Sequence, residues 1–127
     1  MSEITLCNAI KNIELQYQLT PYQKNNCDQY FYYLKIDDLV YPGQLKSIIA
    51  IDIKTAYQML EELKDQGYLS VVYQVRCHNC GRTKEIFLDS ISAFNLEYHC
   101  DFCGHHLDTI SDFMVLYKVI NLSVVHG

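Results

Sequence analysis

The chain has no excess of positive charge: ten Lys and Arg stand against fifteen Asp and Glu, for a formal net charge of −5. That excludes a strongly basic protein that coats nucleic acid, and any polybasic membrane binder. No apolar run approaches the roughly 20 residues needed to cross a bilayer. The opening Met1-Ser2-Glu3-Ile4-Thr5-Leu6-Cys7 has neither the basic region nor the apolar core of a signal peptide, so a cytoplasmic chain is expected. Repeats, low-complexity tracts and flexible linkers are also missing. With half its residues hydrophobic and 20% charged, the chain has globular composition. At 127 residues it is expected to form one compact domain, or two very small units sharing a core.

The constellations of catalysis are missing as well. There is no nucleophile–base arrangement, phosphate loop or open metal site, and the acid pairs Asp37-Asp38 and Glu61-Glu62 are consecutive, so their side chains diverge. A non-enzymatic protein without a small-molecule substrate is expected.

What the chain does have is six cysteines. In a reducing compartment, clustered cysteines bind metal more often than they form disulfides. Cys77-His78-Asn79-Cys80-Gly81 and Cys100-Asp101-Phe102-Cys103-Gly104 are two C-x-x-C-G units with nineteen residues between Cys80 and Cys100. Two cysteines three apart in a tight turn can aim both sulfurs at one ion, and the glycine that follows permits the positive φ that closes the turn. Two such knuckles complete a tetrahedron of thiolates at about 2.3 Å from Zn2+. Cys77, Cys80, Cys100 and Cys103 are therefore the expected ligands of one structural zinc. A redox dithiol pair and an iron–sulfur cluster are the other uses of such spacing. His78, His99, His105 and His106 crowd the knuckles as competing candidate ligands, but four thiolates already close the shell, so surface or supporting places are expected for them. Cys7 and Cys27 lie outside the pattern and read as small buried or half-buried apolar residues.

Along the chain, Leu6, Ile10, Ile13 and Tyr17 recur at helical spacing, ended by Thr20-Pro21. Lys24-Asn25-Asn26 reads as a turn, and a second helix is expected from Asp28 to Ile36. Leu39-Val40-Tyr41 reads as a short strand ended by Pro42-Gly43. A short helix over 44–50 turns Leu45, Ile48 and Ile49 inward. Asp52 is a natural N-cap for a helix over 53–66, whose inward set is Ile53, Ala56, Tyr57, Leu60 and Leu63, with Gly67 just past its end. Strands are expected over 68–76, 83–88 and 96–99, with a connection over 89–95. The run from Phe113 to Val125 suits one long strand buried on both faces.

Short helix, tight break, longer helix, glycine, strand: residues 28 to 76 resemble a winged helix-turn-helix. The resemblance is carried most closely by Tyr41 to Leu69, whose Leu60-x-x-Leu63-x-x-x-Gly67-x-Leu69 looks like the end of that family's recognition helix. The cysteine half, from about Arg76 to Val119, resembles a zinc ribbon, entered directly from the wing strand. The combination is similar to archaeal transcription factor E and to bacterial regulators that carry a ribbon. It implies an α+β chain: an N-terminal helical extension over 1–24, a winged helix-turn-helix over 25–76, and a zinc ribbon with a small antiparallel sheet and a C-terminal strand over 77–127.

The resemblance points to two classes of partner, because winged helices serve both DNA binding and protein docking. Positive charge concentrates in residues 43–89, where six cationic groups meet six carboxylates; the flanking segments are net negative. If the helix from Ile53 docked in a major groove, Lys54, Thr55 and Gln58 would face bases or phosphates, and Lys46, Arg76, Arg82 and Lys84 would supply backbone contacts. Glu61, Glu62 and Asp65 would form a solvated face. Eleven tyrosines, some adjacent, are expected mostly to pack half-buried with the hydroxyl at the surface; exposed ones would instead favour a protein interface, with another protein or a second copy. DNA-binding transcriptional regulation is the expected function, with a protein-docking adaptor subunit as the alternative.

Overall fold

The computed structural model of the chain describes residues 2–108 and 112–126. It is a mixed α+β protein with four α-helices and small antiparallel sheets. In order, these are β1 (Ser2–Thr5), α1 (Leu6–Gln16), α2 (Pro21–Tyr32), β2 (Leu39–Val40), α3 (Pro42–Ile49), α4 (Ile53–Asp65), β3 (Leu69–Arg76), β4 (Thr83–Leu88), a 3-10 turn (Ile91–Ala93), β5 (Phe113–Val119) and β6 (Ser123–His126). Two compact units are present, residues 1–70 with 117–127, and residues 71–116. No helix among the described residues is long and apolar enough to cross a membrane.

In the larger unit the helices start where their caps dictate. Thr20 accepts from the Gln23 N–H (3.2 Å) while the Gln23 side-chain oxygen accepts from the Thr20 N–H (2.9 Å), and Pro21 occupies the first helical position. This reciprocal cap carries α2 straight through Lys24-Asn25-Asn26, where a turn was expected, and the helix ends at Tyr32 rather than Ile36. Pro42 likewise begins α3. Ala50, in the left-handed region at φ 63°, ends it, and Asp52 Oδ1 accepts from the Thr55 N–H (2.7 Å) to start α4.

The core of this unit is built from Leu6, Ile10, Ile13, Phe31, Leu45, Ile49, Leu60, Leu63 and Tyr68. Met59 is fully buried on α4, whereas Ile53 is 42% exposed, so the inward stripe lies one position round from the expected one. Ile48 is also exposed.

The expected long strand over 113–125 is two strands. After β5 the chain breaks at Ile120–Leu122, where the Ile120 N–H and the Asn121 amide bond back to the carbonyls of Tyr68 and Gly67 (2.9 and 2.8 Å). It resumes as β6, antiparallel to β1 in the register Glu3↔Val125, Ile4↔Val124 and Thr5↔Ser123. The opening strand had no signature in the sequence. Val125 is exposed, so the run is not buried on both faces throughout. The four-stranded sheet has the order β2-β5-β3-β4, with Leu39 opposite Lys118 and Val40 opposite Tyr117.

The smaller unit is organised on the β3–β4 hairpin, with Tyr73 opposite Leu88, Gln74 opposite Phe87, and a register shift between Gln74 and Arg76. Its core is small: Val75, Cys77, Phe94, Cys100 and Leu107, with Ile86, Leu88 and Tyr98 packed against them. No strand forms over 96–99. Leu96 and Glu97 lie in a turn, and His99 makes a single bridge with His106.

Candidate metal centre

The two knuckles are the same turn made twice. The Cys77 N–H bonds to the Arg82 carbonyl (2.9 Å) and the Gly81 N–H to the Cys77 carbonyl (2.8 Å). At the second knuckle, the Cys100 N–H bonds to the His105 carbonyl and the Gly104 N–H to the Cys100 carbonyl, both at 2.9 Å. Gly81 and Gly104 have φ of 77° and 75°. A Cβ would meet only one Arg76 guanidinium nitrogen at 3.9 Å in the first case, and nothing within 4 Å in the second. Backbone conformation, not space, therefore requires glycine at both positions.

The repeated turn brings the sulfurs of Cys77, Cys80, Cys100 and Cys103 all within 4.8 Å of one another. Cys77 and Cys103 Sγ are 3.6 Å apart, and Cys80 and Cys100 Sγ 3.4 Å. A disulfide would need about 2.05 Å. Four sulfurs at about 2.3 Å from a central ion stand about 3.8 Å apart along each tetrahedral edge. The cluster thus has the donor type and very nearly the spacing of a tetrathiolate metal site. In each knuckle the first cysteine is buried in the small core and the second is exposed.

Local donors prepare the sulfurs for negative charge. The Asn79 amide, 3.6 Å from Cys103 Sγ, and the His105 backbone N–H bring the Cys103 thiol down to about 6. The N–H groups of Cys103 and Phe102 lower Cys100. Cys80 is lowered by the Arg82 N–H, but its bond to Cys100, desolvation, and its bonds to Cys77 and Cys103 outweigh this and push it up to about 11. Four adjacent thiols cannot all ionise alone, and a divalent cation removes that conflict.

Contacts between the knuckles are also made by their other residues. Lys84 Nζ lies 2.9 Å from Asp101 Oδ2, and the Arg82 guanidinium sits 4.2 Å above the centre of the Phe102 ring. The His99 and His106 rings lie 5.0 Å apart, and His106 Nε2 bonds to the Leu96 carbonyl. None of the four histidines is needed to complete the sulfur tetrahedron.

Sequence reasoning missed Asp112. It is fully buried, and its Oδ1 accepts from the His78 N–H (2.9 Å) and bonds to His78 Nδ1 (2.6 Å); its Oδ2 accepts from the Asp108 N–H (2.7 Å). Burial alone would raise its pKa, but the two backbone N–H groups and the His78 ring outweigh that and hold the carboxyl below its ordinary range. An acidic residue thirty-four positions from its partner has no local pattern by which to be found.

The seven cationic and polar residues expected at a DNA surface fall into two groups. Lys46 on α3, with Lys54, Thr55 and Gln58 on the first two turns of α4, belongs to the larger unit; Thr55 is half-buried and the other three are exposed. Arg76, Arg82 and Lys84 belong to the knuckle unit, where Arg82 and Lys84 are engaged as described. Glu61 and Glu62 are not a plain solvated face: both are half-buried, Glu61 pairs with Lys64 (2.7 Å), and Glu62 accepts from the Gln16 amide (2.7 Å). Cys27 is fully buried and Cys7 is exposed, and neither is in a disulfide.

Compared with family models, with curated proteins and with solved structures, the chain matches none of them.

Proposed function

We propose that the chain is a DNA-binding transcriptional regulator, a winged helix-turn-helix joined to a zinc ribbon that holds one structural Zn2+. The observation that carries the reading is the α3–α4 pair. A tight break at the left-handed Ala50 and an Asp52 cap lead into a helix whose opening turns carry Lys54, Thr55 and Gln58, and an antiparallel hairpin follows. Lys and Gln at the start of such a helix suit phosphate and base-edge contacts. The engagement of Glu61 with Lys64 and of Glu62 with Gln16 reduces the repulsion those carboxylates would exert on phosphate. Zinc is the ion best suited to four thiolates, and a closed shell leaves no position for reacting water, so its work is to rigidify a unit with a small core.

The test is binding of the zinc-loaded protein to a random-sequence duplex, followed by fluorescence anisotropy across a salt series. Affinity should fall steeply with salt, and Lys54→Glu should abolish binding measurable in the wild type. No binding at low salt refutes the reading.

The alternative, a protein-docking adaptor, is favoured by one observation. Tyr32 and Tyr33, in edge-to-face contact at the end of α2, are 70% and 74% exposed, an aromatic pair of the kind enriched at protein interfaces. Under that reading, a co-purifying protein is lost on Tyr32→Ala and Tyr33→Ala substitution, and nuclease treatment leaves it in place.

A further inference from the structure

We propose that Asp112 and His78 form a latch that holds the first knuckle in its ion-binding geometry, as positioning residues and not as ligands. The inference rests on the zinc reading above and assigns how the chain prepares the site.

Asp112 grips the chain on both sides of Cys77. Its backbone carbonyl accepts from the Arg76 N–H (3.0 Å), and its side-chain Oδ1 accepts from the His78 N–H (2.9 Å). The cysteine between these two amides has its own N–H fixed on the Arg82 carbonyl (2.9 Å). Three consecutive amides, 76 to 78, are thereby pinned, which sets the direction in which Cys77 Sγ leaves the backbone. The same Oδ1 holds His78 Nδ1 at 2.6 Å and so fixes the imidazole. That ring meets the His105 ring edge to face, with centres 4.7 Å apart. His105 in turn belongs to the second knuckle, where its carbonyl receives the Cys100 N–H (2.9 Å). The contacts run without a gap from Asp112 through the first knuckle to the second.

His78, His105 and Asp112 also have the residue types of a second metal site, with their ligand atoms mutually within 4.8 Å. The geometry argues for the latch. A separation of 2.6 Å between Nδ1 and Oδ1 is a hydrogen bond. Two ligands bound tetrahedrally at about 2.0–2.1 Å from one ion would stand about 3.3–3.4 Å apart. A metal there would have to take the place of the His78 Nδ1 bond to a fully buried carboxylate.

The experiment uses full-length, zinc-loaded protein and follows metal release to a chromogenic chelator, together with metal content and the absorption spectrum of the cobalt-substituted form. His78→Ala removes the ring bond and leaves the backbone bond, so release should accelerate about tenfold; Asp112→Ala removes both and should approach about a hundredfold. Asp112→Asn keeps an acceptor for His78 but loses its charge and sets an amide donor against the Asp108 N–H, so release should accelerate several-fold, less than in Asp112→Ala. Should Asp112→Ala not fold, His78→Ala and Asp112→Asn carry the test, and Cys7→Ser, outside the knuckle unit, serves as the control. All variants should hold one metal per chain with an unchanged tetrathiolate cobalt spectrum.

Release within about twofold of wild type in both His78→Ala and Asp112→Asn overturns the latch. So does a His78→Ala cobalt spectrum that has lost a nitrogen ligand, or a second bound metal that these variants lose. A wild-type protein that binds no metal refutes the zinc centre itself, and the latch with it.

Discussion

Glu14 offers a sharp test of the packing between α1 and α2. It is 2% exposed, and its Oε2 has no hydrogen-bond partner among the described residues. Desolvation, then the hydrogen bond and charge of Asp28, push its carboxyl from 4.5 up to about 7. Cys27 and Asp28 face it from α2. Lys11, one turn back on α1, is held by Asp28 at 2.7 Å, and a cavity of about 240 Å³ lined by Lys11, Glu14, Leu15, Lys24 and Asp28 lies alongside. The fold therefore favours the neutral acid. Because the folded pKa is raised, this contribution is fully present below about 4.5 and is lost as pH rises through about 7.

At about 1.4 kcal/mol per pH unit, the whole interval would be worth about 3 kcal/mol. Solvent screening through the open cavity alongside reduces that to about 1–2 kcal/mol. Glu14→Gln removes the ionisation and keeps a donor toward Asp28. Urea unfolding followed by far-ultraviolet circular dichroism at several pH values gives the comparison. Metal binding by thiolates strengthens as pH rises, the opposite sign, but it is common to both proteins and cancels in their difference. The variant should match wild type near about pH 4 and exceed it by about 1–2 kcal/mol near about pH 8. A difference that does not change with pH, or one in which wild type gains on the variant as pH rises, would refute the assignment.

Cys77→Ser or Cys100→Ser should lose the bound metal and unfold residues 71–116, as read by metal content and by proteolysis of that segment. A fully protected, metal-free variant would sink the ribbon. Thr20→Ala removes one half of the reciprocal cap that starts α2, and should cost about 1 kcal/mol in urea unfolding. An unchanged midpoint would mean that tertiary packing alone fixes the helix start.

Much of the fold was legible because its signals are local. The four cysteines, the glycines that close their turns, the Asp52 cap, the Gly67 stop (φ 96°) and the bounds of β4 each depend on residues within about one turn of chain, and all stand where the sequence placed them. The turn expected at Lys24-Asn25-Asn26 is overridden for a local reason as well: the Thr20/Gln23 cap immediately before these polar residues starts a helix that runs through them. The inward set on α4 failed differently. Periodicity gives the width of an apolar stripe but not its rotation against neighbours, so Ile53 and Met59 exchanged roles.

The sequence by itself determined the α+β character and the four-cysteine cluster, since donor type and turn geometry are encoded within each knuckle. Only the tertiary structure decided three other features. It divided the apolar run 113–125 between two strands, because Ser2–Thr5 offered β6 a partner from the far end of the chain. It bound Glu62 to Gln16 of α1. It carried Asp112 onto His78, where a buried carboxylate finds the amides that its burial demands. Pairing, burial and charge compensation depend on which distant segments arrive together, and short-range pattern carries no record of that.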